Sequence, residues 1–302
     1  MTLAPILLFT YNRPVHTRLT VESLQKNALA NNSELVIFSD APKKAEDEAS
    51  VQQVRNYLRT VDKFKSVTII EREQNYGLAN NIIDGVTGML AKNERVIVLE
   101  DDLLTSPYFL KYMNEALEMY QFDEQVLSIH AYNYPVKQQV PTTFFLIDPG
   151  SLGWGTWSNR WKDYEKDGAK LYKELQEKGL TAAMNYDNTY PFTTILEYQI
   201  AGKNSSWVIR WYAYALIHSK LTLYPGKSLV FHMGNDGTGT HEGSSSHLDV
   251  EISNEPVDLK RIEPVVNIQA REAFKDYFRS VKGNLIRRGI RKIKKFISNA
   301  GS

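Results

Sequence analysis

The sequence predicts an α/β protein built on a mostly parallel sheet with helices on both faces, and three observations carry that prediction. Four short runs between residues 5 and 100 are continuously apolar or β-branched, without the alternation of a half-exposed strand. Segments with apolar residues at helical spacing separate them. Polar residues gather where each run ends. Strands apolar on both faces must be covered on both faces, which a series of β-α-β crossovers achieves.

The elements follow in order. "PILLFTY" (Pro5 to Tyr11) is the first strand, and "HTRLTVESLQKN" (16–27) follows with helical periodicity. "ELVIFSD" (Glu34 to Asp40) is the second strand, "EASVQQVRNYLRTV" (48–61) a helix, and "SVTIIER" (66–72) the third strand. A helix then begins near "GLANNIIDGVTGML" (77–90), and "RVIVLE" (95–100) is the fourth strand. Ser106 and Pro107 suit the cap and first position of a further helix. In such sheets ligands bind beyond the carboxyl ends of the strands. Thr10, Asn12 and Arg13 stand at the first of those ends, Ser39 and Asp40 at the second, Arg72 and Asn75 at the third, and Glu100, Asp101 and Asp102 at the fourth.

Bulk composition narrows the function. The 302 residues, 42% hydrophobic and 24% charged, suffice for one large α/β domain with a sizeable core. A net charge of +1 gives no general attraction for nucleic acid. The absence of cysteine excludes disulfides, thiolate metal sites and cysteine nucleophiles, and fits a reducing cytoplasm. The start, "MTLAPILLFTYNRP", lacks the basic region of a secretory leader, and no run of apolar residues is long enough to span a bilayer.

The acidic triplet carries the chemistry. Three adjacent anions repel one another unless a cation or ligand compensates. Carboxylate oxygens suit Mg²⁺ or Mn²⁺, and a cation held by few carboxylates completes its shell with water and phosphates. Such a cation would bridge the phosphates of a nucleoside diphosphate, Arg13 would add a charge-assisted contact to them, and Asp40 would accept from a pyrimidine N–H or a ribose hydroxyl.

"PILLFTYNRP", "VIFSDAP", "NYGLANNI" and "VIVLEDDLLTSPYFLKYMNEAL" together resemble the nucleotide-sugar-binding half of GT-A-fold glycosyltransferases. The likeness is to bacterial family-2-like enzymes and to the N-acetylglucosaminyltransferase I family, with its Glu-Asp-Asp motif. It continues through "GSLGWGTWSNRW" (150–161) and "SSWVIRWYAYALIHSKLTLYPGKSLVFHMGNDGTGTH" (205–241). The resemblance implies that Asp102 ligates the metal, that Glu100 and Asp101 contact ribose or sugar hydroxyls, that Asp40 binds uracil, and that Arg13 holds the nucleotide. Thr10, Asn75 and Asn80 fall among the segments facing the nucleotide, and His241 where a late histidine approaches the metal or diphosphate. His232 is the poorer candidate, since relatives usually lack a histidine there.

Inverting transfer also needs a carboxylate that takes the acceptor's proton. The position of the N-acetylglucosaminyltransferase I base is occupied here by Trp207, Val208, Ile209 and Arg210, none of them acidic. Glu197 is the nearest upstream acid and the first candidate, with Asp187 second. Trp154 is expected against the acceptor, with Trp157 and Trp161 in the core.

The expected organisation is a GT-A catalytic domain over 1–250, with a nucleotide-sugar half (1–105) and an acceptor half (106–250). A wrapping linker (251–278) and a basic amphipathic helix (279–302) follow. That last segment has eight Lys or Arg and no acid, with apolar residues at 286, 290, 293 and 297. It suits an anionic membrane surface. The expected activity is a metal-dependent (Mn²⁺ or Mg²⁺), inverting transfer from a UDP-sugar to a glycan or glycolipid in surface-polysaccharide synthesis, at the inner face of the cell membrane. Two rivals stand beside it. A nucleotidyltransferase would carry a basic, Gly-rich loop after the first strand, which "FTYNRP" lacks. An inactive glycan- or nucleotide-binding module would fit the missing base.

Overall fold

The computed structural model describes residues 2–234 and 248–282. The apolar runs of the first half form β1 (Ile6–Thr10), β2 (Glu34–Ser39), β3 (Ser66–Glu71) and β4 (Arg95–Glu100). The helical segments between them form α1 (Pro14–Leu24), α2 (Glu48–Leu58) and α3 (Leu78–Leu90). Pro14 opens α1, where a missing N–H costs nothing. β3 is only half-buried because it forms the edge of the sheet.

After β4 the chain turns through Asp101 and Asp102 into a three-residue strand, β5 (Leu103–Thr105), and then α4 (Phe109–Met119). Ser106 and Pro107 lie in the turn before α4: Ser106 Oγ accepts from Tyr108 N at 3.2 Å, and the helix begins two residues beyond Pro107. The second half contributes β6 (Val126–His130), β7 (Thr143–Leu146), β8 (Trp154–Trp157), α5 (Ser158–Trp161), α6 (Gly168–Glu177) and α7 (Thr181–Met184). α8 (Phe192–Ile200), α9 (Val208–Ile217), β9 (Leu221–Pro225) and β10 (Val230–His232) follow.

The main sheet has eight strands in the order β3-β2-β1-β4-β8-β6-β9-β7. β1 to β4 pair in parallel, as do β6 and β9, whereas β8 runs antiparallel to both β4 and β6, and β7 to β9. The sheet is therefore mostly parallel and flanked by helices, as the sequence predicts. Period-two alternation sends Ile6, Leu8, Leu35, Ile37, Ile97 and Leu99 to a face covered by α1, α2 and α4. Leu7, Phe9, Val36, Phe38, Val96 and Val98 pack on the other face against α3 and four tryptophans.

A third cluster joins β7 and β9 to α6, α8, α9 and a further helix, α10, over 268–282. Ala270, Phe274, Phe278 and Val281 of α10 are buried there. The stretch expected as linker to 278 therefore ends in a docked helix that starts at 268, because its apolar residues fall at helical spacing toward that cluster. The expected basic helix lies almost wholly beyond 282, outside the described residues. Among the described residues no helix is long and apolar enough to cross a membrane.

Candidate donor-binding site

Parallel β1, β2 and β4 end at one edge of the sheet, and antiparallel β8 begins there, since Trp154 pairs with Val98. The acidic triplet lies at that edge, and the pairing of β5 with β10 folds a second segment over it. His232 faces Leu103 in this two-stranded ribbon, and Met233 N donates to Asp102 O at 2.8 Å.

Asp102 is the hub. Arg13, at the boundary between β1 and α1, brings Nη1 to 2.8 Å from Asp102 Oδ2, and His232 Nε2 lies 3.3 Å from the same oxygen. Burial opposes charge on Asp102, yet the hydrogen bond and charge of His232, together with Arg13, hold its carboxyl below the usual range. Gly234 packs so closely that a Cβ there would meet Asp102 Oδ2 and the His232 ring. Only glycine lets the chain pass at this distance.

Asp101 is braced from β1 and α1. Tyr11 N and Thr17 Oγ1 donate to its Oδ2 at 3.1 and 3.3 Å, and Thr20 Oγ1 donates to its main-chain oxygen at 2.8 Å. Burial and the neighbouring Asp102 charge nevertheless push its carboxyl up to about 7. Glu100, which keeps some exposure, is raised well above its ordinary value by desolvation and by Asp102 and Asp101. Three buried polar atoms complete the picture. Thr10 Oγ1, Asp102 Oδ1 and His232 Nδ1 have no hydrogen-bond partner among the described residues. Buried polar groups left unmade are costly, and three of them at the ligand-binding edge of an α/β sheet mark a place shaped for a guest.

The other expected residues divide sharply. Asp40 sits at the same edge, 3% exposed, with both carboxylate oxygens engaged by the turn before α3. Asn75 turns inward onto Asp40 and Ala41 O, while Asn80 is exposed and donates to Tyr76 O at 3.1 Å. Trp154 corrects an expectation: it is 1% exposed, its ring lies within 5.7 Å of those of Trp161, Trp207 and Trp211, and no face remains for an acceptor. Trp161 is in the core as expected, and Trp157 is buried on the opposite sheet face, donating to Leu117 O at 3.1 Å.

Asp187 is corrected as a proton acceptor. Arg271 grips both its oxygens at 2.8 and 2.9 Å and Lys275 adds a contact at 3.0 Å, so these partners hold its carboxyl well below the usual range. A carboxylate held so low is a weak base. Glu197 stays exposed on α8 and accepts a hydrogen bond from Tyr172 OH at 2.6 Å. His241 lies outside the described residues. His232, the poorer candidate by resemblance, is the histidine that meets Asp102 among the described residues. Its signal was present in "SLVFH", a short apolar strand that delivers a polar residue at its end.

The model of glycosyl transferase family 2 matches residues 6–186. The chain belongs to glycosyl transferase family 2. The match is to the family as a whole and gives no closer kinship with the N-acetylglucosaminyltransferase I enzymes. This family-2 chain has the α/β architecture of the GT-A class, as the sequence predicts.

No curated protein matches the chain. Solved structures similar to the family-2 chain include S. aureus TarS, at 16% identity and a TM-score of 0.37 over 54% of this chain. The chain spans only 30% of the length of that TarS chain. TarS 1–349 in complex with UDP matches at 17% identity and a TM-score of 0.37, covering 53% of this chain and 48% of that one. The mannosyltransferase PcManGT from Pyrobaculum calidifontis, in complex with GDP-Man and Mn²⁺, matches at 12% identity and a TM-score of 0.38, with 72% of each chain covered. At these values the likenesses assign nothing to individual residues.

Proposed function

We propose that this family-2 domain transfers a sugar, with inversion, from a UDP-sugar to a glycan acceptor, and that the donor lies at the edge formed by β1, β2 and β4. The observation that carries the reading is Asp102: buried, ionised, flanked by Arg13 and His232, and left with Oδ1 unpartnered among the described residues.

The donor set suits a hard divalent cation. A buried, unpartnered carboxylate oxygen, Asp102 Oδ1, is an ordinary ligand for Mn²⁺ or Mg²⁺. Among the described residues no group of three or more acidic or histidine side chains converges on one point, so phosphate oxygens of the donor would fill the shell. Asp102 would hold the cation, with His232 fixing its carboxylate through the Nε2 contact at 3.3 Å, and the cation when bound would supply positive charge against the departing diphosphate.

The chain's own residues do the rest. Arg13 contacts the same diphosphate and helps neutralise UDP as the bond from the anomeric carbon to the phosphate oxygen breaks. Thr10 Oγ1, Glu100 and the Oδ1 atom of Asp101 are left to meet ribose and sugar hydroxyls. The acceptor hydroxyl attacks opposite the leaving group, and Glu197, whose carboxylate keeps free lone pairs and access to solvent, takes its proton. The basic segment beyond 282 brings the enzyme to an anionic membrane bearing a lipid-linked acceptor.

Calorimetric titration with UDP and a panel of UDP-sugars, with and without Mn²⁺, tests the reading. Wild type binds UDP in a Mn²⁺-dependent manner, Asp102→Ala loses both binding and turnover while keeping its fold, and Glu197→Gln binds UDP but does not turn over. Absence of nucleotide binding under every condition would refute the donor site, and undiminished turnover by Glu197→Gln would remove that residue from the proton step.

A further inference from the structure

The carboxylate of Asp40 has no room for a ligand. Oδ1 accepts from Ala41 N and Tyr76 N, each at 2.9 Å, and Oδ2 accepts from Gly77 N at 2.9 Å and Asn75 Nδ2 at 3.3 Å. A carboxylate offers about four in-plane lone-pair directions, so four N–H donors use all of them. The residue is also 3% exposed. Three of the four donors belong to the single turn 75–77 that leads into α3.

That turn would not hold itself. Gly77, the residue before α3, has φ +69°, a conformation open to glycine and strained for other residues. No side chain within the turn caps the helix. Asn75 fastens it further by donating to Ala41 O at 2.7 Å, and Arg72, whose Nε donates to Asn81 Oδ1 at 2.9 Å, lies 4.4 Å from the centre of the Tyr76 ring. Asp40 itself is fixed from beneath by its N–H, which donates to Thr10 O at 2.9 Å. The carboxylate thus ties the ends of β1 and β2 to the start of α3.

We propose that Asp40 is a positioning residue that locks the 75–77 turn against the ends of β1 and β2, and that it does not read the nucleobase. The inference rests on the donor site proposed above and changes what Asp40 does in it. An Asn at 40 would point an NH₂ at the N–H of Gly77 and the amide of Asn75, or at that of Tyr76, leaving donors face to face.

The test uses Asp40→Asn in the full chain, with UDP and CDP titrated in the presence of Mn²⁺ and amide exchange followed at Tyr76 and Gly77. The positioning role predicts that both nucleotides weaken by the same factor, about tenfold or more, with their ratio unchanged, and that both amides exchange about tenfold faster. Asn75→Ala, which leaves the carboxylate in place but removes one of its donors, weakens both nucleotides in the same proportion and to a smaller extent. A shift of preference toward CDP with unchanged amide protection would overturn the proposal, because an amide reading the base can donate to cytosine where a carboxylate cannot. A wild type that binds neither nucleotide would overturn the donor site, while the exchange measurement, which needs no ligand, separately decides whether Asp40 holds the turn.

Discussion

Individual carboxylates in this chain have been given different work by their surroundings. Asp102 is kept ionised by Arg13 and His232, Asp40 is consumed by a turn, and Asp148 is buried against Tyr186 OH, 3.4 Å away. Burial pushes the Asp148 carboxyl up to about 7, from an unfolded value near 3.8. The folded chain therefore holds a proton between those values that the unfolded chain has lost, and stability falls as pH rises through that window. Asp148→Asn does not titrate. Its stability relative to wild type should accordingly rise from pH 4 to pH 7 and level off, by on the order of 2–4 kcal/mol. Urea unfolding at pH 4.5 and pH 8 measures this, and a pH-independent difference would contradict it. The sequence made the acidic triplet legible, since three carboxylates after an apolar strand are conspicuous. It could not show Asp40's commitment, because three of the four donors that occupy it lie 35 to 37 positions away in the chain, two of them on the backbone.

Among the elements, the early strands were readable because β1, β2 and β4 are buried on both faces and so carry no polar alternation. β5 and β10 were not, as three residues are too few to show a period. α10 is the element whose contribution is largest relative to its legibility. It brackets a turn in which Tyr186, Asp187 and Asn188 all have positive φ, at 48°, 54° and 66°, each costing about 1 kcal/mol outside glycine. Arg271 and Lys275 hold that turn through Asp187, and Phe274 packs edge-on to Phe144 and Tyr224. Phe274→Ala should cost about 3–5 kcal/mol and accelerate exchange at 186–188. A loss below about 1 kcal/mol would mean that α10 is only draped on the domain.

At the scale of the whole molecule, the edge proposed for the donor belongs to the amino-terminal half and is closed by β10 from the carboxyl-terminal half, so neither half forms that edge alone. The membrane role proposed for the basic segment would extend this division of labour. Because α10 is docked as far as 282, a cut after 282 spares the domain where a cut at 278 would not. The chain ending at 282 should lose sedimentation with phosphatidylserine vesicles and keep Mn²⁺-dependent UDP binding; unchanged sedimentation would rule out the anchor. Trp154 was misread because its identity is visible in sequence and its facing is not, and Trp207 and Trp211 cover it from more than fifty positions away. That cover has an optical consequence. Four of the five indoles, Trp154, Trp161, Trp207 and Trp211, have ring centres 4.3 to 6.1 Å apart, while Trp157 stands across the sheet. At such separations their excited states couple, so the four would absorb and emit as one chromophore. An exciton couplet in the circular dichroism would then report whether β8, α5 and α9 remain together, even where helix content is unchanged.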